Sequence, residues 1–240
     1  MSPTLDESEL LIKFKEFFKQ EIINNHRRNT KKLKKLKEFK INEFTWRYLA
    51  KFFTGNDSAR SLAQVLVYPR ILGTSITTTF GTQMQKFITA NIPWAEPSVI
   101  DGLDIEFIDQ IVERKKYCQL KSGPNALNND DVKTIIDKFS QAKNRARTNN
   151  LSIPFDDFVF CLLYGKPEQK NSFVLKLEKE YTVYMGKEFW HRLTGKENFY
   201  DNLIDCLHEI INDVNETETI EEVIQALSNE ISRQIKEDIP

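Results

Sequence analysis

Apolar residues recur at helical spacing over 8–24, where Leu10, Leu11, Phe14, Phe17, Phe18, Ile22 and Ile23 fall on one side. That period predicts an amphipathic helix. A second helix is expected over 42–53, carrying Phe44, Trp46, Tyr48, Leu49, Phe52 and Phe53, with Gly55-Asn56-Asp57 as its stop. Ser58 reads as the N-cap of a third, running to about Val67, and the stretch 77–90 as a fourth. The period then changes. Leu103–Asp109 alternates apolar and acidic residues, which puts Leu103, Ile105 and Phe107 on one strand face and sets Asp104, Glu106 and Asp109 partly on the other. Lys116–Lys121 repeats the alternation with Gln119 and Lys121 on one face, and the short connection between the two runs fits a hairpin.

Ser122-Gly123-Pro124-Asn125 breaks the second strand, and Asn129 or Asp130 can cap a helix to about Arg147. Phe158–Tyr164 is a continuous apolar run, expected as a strand buried on both faces, and Tyr181–Met185 is a shorter strand. Gly186 opens a helix with Phe189 and Trp190, an aromatic pair expected in the core. Helices over 197–213 and 217–236 close the chain. The order predicts an α/β protein, a small mixed β-sheet flanked by helices.

Composition narrows the picture. A chain with 40% hydrophobic residues and 17 phenylalanines can bury a core, so wholesale disorder is excluded. No apolar run reaches the roughly 18 residues of a membrane helix, and the acidic first ten residues are unlike a signal peptide. Cys118, Cys161 and Cys206 are widely spaced in apolar surroundings and are expected as core thiols in a reducing compartment. The expectation is a soluble intracellular protein. A net charge of -1 hides a strong segregation: eight Lys/Arg against one acid from His26 to Lys40, and ten acids against two basic residues from Asp205 onward. A basic segment of that kind can attract a polyanion while the whole stays soluble.

The candidate chemistry lies on the alternating strands. Asp104 is followed fifteen residues later by Gln119-Leu120-Lys121. Phosphodiester hydrolysis needs a divalent cation to acidify water and neutralise charge, with an ammonium nearby. One strand can offer the Asp104 carboxylate; its neighbour can offer Gln119 and Lys121, which share a face, with the Leu120 carbonyl between them. Hard oxygen ligands suit Mg²⁺. Lys133, Lys138, Lys143, Arg145 and Arg147 follow with a single acid, Asp137, among them, as backbone phosphates require. His26, His191 and His208 form no cluster, and no glycine-rich phosphate loop is present, so neither Cys–His catalysis nor a nucleotide cofactor is expected.

The spacing Asp104…Gln119-x-Lys121, preceded by a helix and followed by Ser122-Gly123-Pro124-Asn125, resembles the PD-(D/E)xK nuclease superfamily. More narrowly, GLDIEFID…KKYCQLKSGPNALNNDDVKTI with the later GKEFWHRLTGKENFYDNLI is similar to a group of small type II restriction endonucleases. The resemblance covers about residues 72–206. It implies a nuclease core over 71–206; the rest of the chain carries little of it, and a helical region with its basic stretch over 1–70 and an acidic amphipathic helix over 207–240, packed on the core, are expected to flank that core. It makes Asp104 the metal-binding acid and Lys121 the motif lysine. Gln119 stands where most members have a carboxylate, and Gln85 stands where the preceding helix often presents a glutamate. The missing charge must come from elsewhere, and Glu106, one strand step away, is the nearest candidate.

The function this implies is a Mg²⁺-dependent, sequence-specific endonuclease acting on double-stranded DNA in the bacterial or archaeal cytoplasm. A twofold dimer is expected, because matching half-sites need matching protein surfaces, and helices 8–24 and 42–53 and the final helix offer apolar surface for it. Lys31, Lys32, Lys34 and Lys35 would flank the DNA and the basic residues of 133–147 would lie nearer the cut; Ser122 is a further DNA contact, and Asn125, Asn128, Asn129, Arg145 and Arg147 are candidates to reach the groove edges. Two alternatives stay open: a repair or structure-selective nuclease with the same core, and a DNA-binding module that two amides, Gln85 and Gln119, have left inactive. Metal-dependent cleavage separates the last from the others, and discrete bands separate the first two.

Overall fold

The two alternating runs pair as neighbouring strands. A computed structural model describes residues 5–148, 152–212 and 217–237. Its helices are α1 (Glu7–Phe17), α2 (Asn24–Lys32), α3 (Trp46–Thr54), α4 (Ala59–Pro69), α5 (Ser75–Asn91), α6 (Asn129–Thr148), α7 (Ser172–Glu178), α8 (Lys187–Thr194), α9 (Phe199–Asn212) and α10 (Thr217–Glu237). Its strands are β1 (Ala95–Pro97), β2 (Ile105–Asp109), β3 (Arg114–Lys121), β4 (Phe158–Leu162) and β5 (Thr182–Met185). They form one mixed sheet in the order β1-β2-β3-β4-β5, antiparallel through β3 and parallel from β3 to β5.

The chain divides into two units. The first comprises the segment up to Glu16 and Phe80–Glu209, and contains the sheet. β2 and β3 are joined by the expected hairpin, with Ile105 opposite Cys118 and Asp109 opposite Arg114. Asp109 is not on the site face; it closes this turn. Its Oδ1 accepts the Ile111 and Val112 amides, and Arg192 pairs with its Oδ2 at 3.0 Å. All five residues of β4 are buried, as their unbroken hydrophobicity requires. On one side of the sheet Phe158, Phe160 and Leu162 meet Val132, Ile135 and Phe139 of α6 and Val174 and Leu177 of α7. Phe107 packs edge-on against Phe189 of α8, and the Trp190 indole donates to the Leu163 carbonyl at 2.9 Å, so this aromatic pair is core. Cys118, Cys161 and Cys206 are buried free thiols.

The second unit comprises Phe17–Thr79 and Ile210 onward. Ser58 caps α4 by accepting the Ser61 amide, and Gly55, at φ 82°, ends α3 in the left-handed conformation. The apolar stripe Val223, Ile224, Leu227 and Ile231 of α10 packs against Leu62, Ala63 and Val67 of α4. The final helix therefore joins the helical region and not the sheet unit, a correction to the expected division at 70 and 206. Its stripe matches that of α4, and the small Ala63 admits the close approach.

Other boundaries also moved. α1 continues through a wide π-type turn, Phe18–Ile23, into α2, so the first half of the basic stretch is helical; Arg and Lys favour helix once a turn is formed. α3 starts at Trp46, because the Asn42 carbonyl and side chain hold the preceding turn. The cap of α6 is Asn128, not Asn129 or Asp130. Its Oδ1 accepts the amides of Asp130 and Asp131, each at 2.9 Å. β1 and the short α7, capped by Asn171, went unanticipated because neither shows a period long enough to read. No helix among the described residues is long and apolar enough to cross a membrane.

Candidate active site

The site forms where β2 begins and β3 ends. The alternation puts Asp104 and Glu106 on the same side as Tyr117, Gln119 and Lys121, the side that α6 covers. Asp104 sits one residue before β2. Its amide donates to the Cys118 carbonyl at 2.9 Å, and its Oδ2 accepts the Leu120 amide at 2.7 Å. The carboxylate is thereby tied to the stretch of β3 between Gln119 and Lys121. Burial pushes its pKa above the ordinary value; the Leu120 N–H and the charges of Lys138 and Lys121 offset this only in part. Among the described residues it makes no ion pair within contact distance. It is a desolvated anion with cations near but not on it.

The neighbours are held on well-defined partners. Gln119, buried, donates its side-chain NH₂ to the Gly102 carbonyl. That leaves the amide oxygen for another use. Gln85, on α5, donates to the backbone carbonyl of Asp104 at 2.9 Å; it braces the start of β2 and does not reach toward the carboxylate. Lys121 lies 3.1 Å from Asp131 Oδ1, on the first turn of α6. Two glycines permit these approaches. A Cβ on Gly81 would sit 2.8 Å from Ser122 Oγ, and one on Gly123 would sit 2.3 Å from the Tyr164 ring. Lys138 packs its stem over Gly102, which brings its charge to the Asp104 end.

Glu106 belongs elsewhere. Only 1% exposed, it pairs with Lys115 at 2.6 Å and accepts from Ser98 Oγ at 2.8 Å and the Val99 amide at 3.0 Å. Burial raises its pKa, but Lys115, Ser98 and Val99 outweigh it and hold the carboxyl below its ordinary value. Glu106 and Lys115 line a cavity of about 400 Å³ with Tyr117 and Arg145, and neither Asp104, Gln119 nor Lys121 borders it. The expectation that Glu106 makes up the missing charge is therefore corrected: its carboxylate is already neutralised. Sequence reasoning missed Asp131 instead. The signal was legible as Asn128-x-x-Asp131, a reciprocal helix cap, since Asp131 Oδ2 accepts the Asn128 amide at 2.9 Å.

The other candidates scatter. Ser122 and Asn125 lie just past β3, with Asn125 exposed. On α6, Lys133 and Arg147 are exposed, Arg145 pairs with Asp101 at 3.1 Å, and Lys143 stacks over the Phe155 ring at 4.9 Å. Lys31, Lys32 and Lys35 are exposed in the second unit, whereas Lys34 pairs with Glu222 at 3.1 Å.

The family model of type II restriction endonuclease EcoO109I matches residues 12–215, most of the chain. The chain belongs to the EcoO109I family of type II restriction endonucleases. A comparison with curated proteins returned no match. As an EcoO109I-family enzyme it is a DNA-binding endonuclease of a restriction system, and the repair-nuclease alternative falls away. The match extends beyond the sheet unit into the helical second unit.

Among the described residues of this EcoO109I-family chain, no three His, Cys, Asp or Glu side chains converge to hold a metal on their own. The donor set at Asp104 fits a hard cation of modest affinity. The Asp104 carboxylate lacks a contacting counter-ion among the described residues and is tied to β3 at Leu120, between Gln119 and Lys121.

Proposed function

We propose that this endonuclease hydrolyses both strands of a short specific duplex site at the Asp104–Lys121 corner, with Mg²⁺. The observation that carries the reading is the 2.7 Å bond from the Leu120 amide to Asp104 Oδ2, which joins the only uncompensated acid of the motif to the strand bearing its lysine. Asp104, the Leu120 carbonyl and the Gln119 amide oxygen would hold the ion, which supplies an acidified water and neutralises phosphate charge when bound. Asp104 is fixed by β3, so its free oxygen faces the incoming phosphate without a search among rotamers. Lys121 stabilises the nucleophile or the charge that develops on the phosphorane, a contribution often worth a few kcal/mol. Lys138 raises the local positive potential, while Lys133 and Arg147 offer exposed phosphate contacts. Digestion of plasmid DNA tests this. Discrete bands with Mg²⁺, none in excess EDTA, and none from the Lys121→Ala protein are expected. Uncut plasmid under all conditions would favour the inactive binding module instead.

The enzyme acts as a twofold dimer in this proposal, and α3 supports it. α3 buries Ala50 but turns Tyr48, Leu49, Phe52 (77% exposed) and Phe53 outward, with Phe44 at 97% just before it. At ~200 Å² per large aromatic, the exposed part comes to about 600–700 Å², near the ~800 Å² each partner gives to a standard interface. A second copy of the same face is the self-complementary occupant that a palindromic substrate calls for. Sedimentation of the wild type and of Phe52→Glu should give a dimer and a monomer; a monomeric wild type overturns it.

A further inference from the structure

Two amides in the motif leave the site short of negative charge, and the one acid proposed to repair that is locked to Lys115. The remaining carboxylate at the corner is Asp131. It does not touch Asp104; it touches the lysine. Asp131 Oδ1 lies 3.1 Å from Lys121 Nζ while Oδ2 accepts the Asn128 amide, so the carboxylate is bolted to the N-terminus of α6 by one oxygen and offers the other. Asn128 returns the bond through its own side chain to the amides of Asp130 and Asp131. The pair is neither sealed nor bare, with side chains 33% and 28% exposed.

A lysine at a strand end has a long, flexible four-carbon stem and swings freely unless something holds its head. Misplacement of a catalytic group by about 1 Å can cost on the order of 10²-fold in rate. We infer that Asp131 is a positioning residue: a rigid anchor on α6 that holds the Lys121 ammonium over the Asp104 corner until the scissile phosphate takes it. The inference rests on the proposed role of Lys121.

The test uses Asp131→Asn, which keeps the cap acceptor and removes the charge, beside Asp131→Glu, which keeps the charge. The single-turnover cleavage rate of Asp131→Asn should fall about tenfold or more, with DNA affinity within about twofold of wild type and only a small drop in melting temperature, because the lost charge also favoured the N-terminus of α6. Asp131→Glu should recover part of the rate. In the metal-free protein, competitive acetylation read by peptide mass spectrometry should modify Lys121 several-fold faster in Asp131→Asn, with the other lysines unchanged. A wild-type rate in Asp131→Asn overturns the inference. So does a slowed enzyme whose Lys121 acetylates at the wild-type rate, or a loss confined to DNA affinity. Normal cutting by Lys121→Ala would instead remove the catalytic reading on which the inference stands.

Discussion

Asp104 and Glu106 are two residues apart and share one side of the sheet, yet they are opposite kinds of carboxylate. Glu106 is buried with a full set of partners: Lys115, the Ser98 hydroxyl and the Val99 amide, with Glu96 holding Lys115 from the other side at 2.9 Å. Asp104 is half-buried, with one backbone amide and cations kept at a distance. The first arrangement stabilises a fold. The second leaves an unbalanced charge within it, which a cation and a phosphate can compensate. In the proposed mechanism, charge left uncompensated, rather than charge as such, marks the working group.

Replacing each acid by its amide should separate the two most strongly. Asp104→Asn is expected to lower cleavage by about 10³-fold, a loss of several kcal/mol of transition-state stabilisation. The same variant should melt higher than the wild type when metal-free. Its folded pKa is raised, so the ionised form costs the fold at neutral pH; the cost disappears as pH falls below the ordinary carboxylate range, and the gap between the two proteins should close there. A metal-free Asp104→Asn protein that melts lower at neutral pH would break the comparison.

Glu106 should behave with the opposite sign. Lys115→Met leaves a buried anion without its cation and is expected to destabilise by about 2–3 kcal/mol, below the 3–5 kcal/mol of a fully buried pair because water reaches the half-exposed Lys115. Adding Glu106→Gln should recover part of it, since the amide oxygen still accepts from Ser98 and Val99. The folded pKa of Glu106 is lowered, so its stabilisation is present above the ordinary 4.5 and is lost as pH falls through the folded value. Thermal melts of wild type and Glu106→Gln across that window check the sign.

Gln119→Glu sharpens the contrast by moving the site toward the ordinary motif. The new carboxylate faces the Gly102 carbonyl where an NH₂ donated before. Metal-free stability should fall modestly while Mg²⁺ affinity, read by calorimetry, rises. An unchanged affinity would place position 119 outside the ion's reach. The smallest effect is expected among the lysines of the second unit. Neutralising the exposed Lys31, Lys32 and Lys35 should reduce the slope of log affinity on log salt by up to about 0.9 for each phosphate that is no longer neutralised, without altering the sequence cut. Lys34, already paired with Glu222, should matter less.

Much of this was legible along the chain because it is local. The hairpin of β2 and β3, the unbroken apolar β4, the Ser58 cap and the amphipathic helices follow from period and capping chemistry, which neighbouring residues decide among themselves. The same logic put Asp104, Gln119 and Lys121 on facing strands. What covers an apolar helix was not legible: 8–24, 42–53 and the final helix all read as apolar surface for a dimer, yet α10 packs its stripe on α4 while α3 turns Phe52 outward.

The sequence by itself determined the class of fold, the strand bearing the acid and the lysine two residues after Gln119, since alternation at period two is a property of the backbone. Only the tertiary structure decided which acid is neutralised and which is available. That depends on Lys115 meeting Glu106 across the β2–β3 register and on Asp131 meeting Lys121 across the approach of α6. Partners that meet only through strand register or helix approach leave no periodic trace, and a carboxylate's charge is settled by whatever the fold brings within about 4 Å of it.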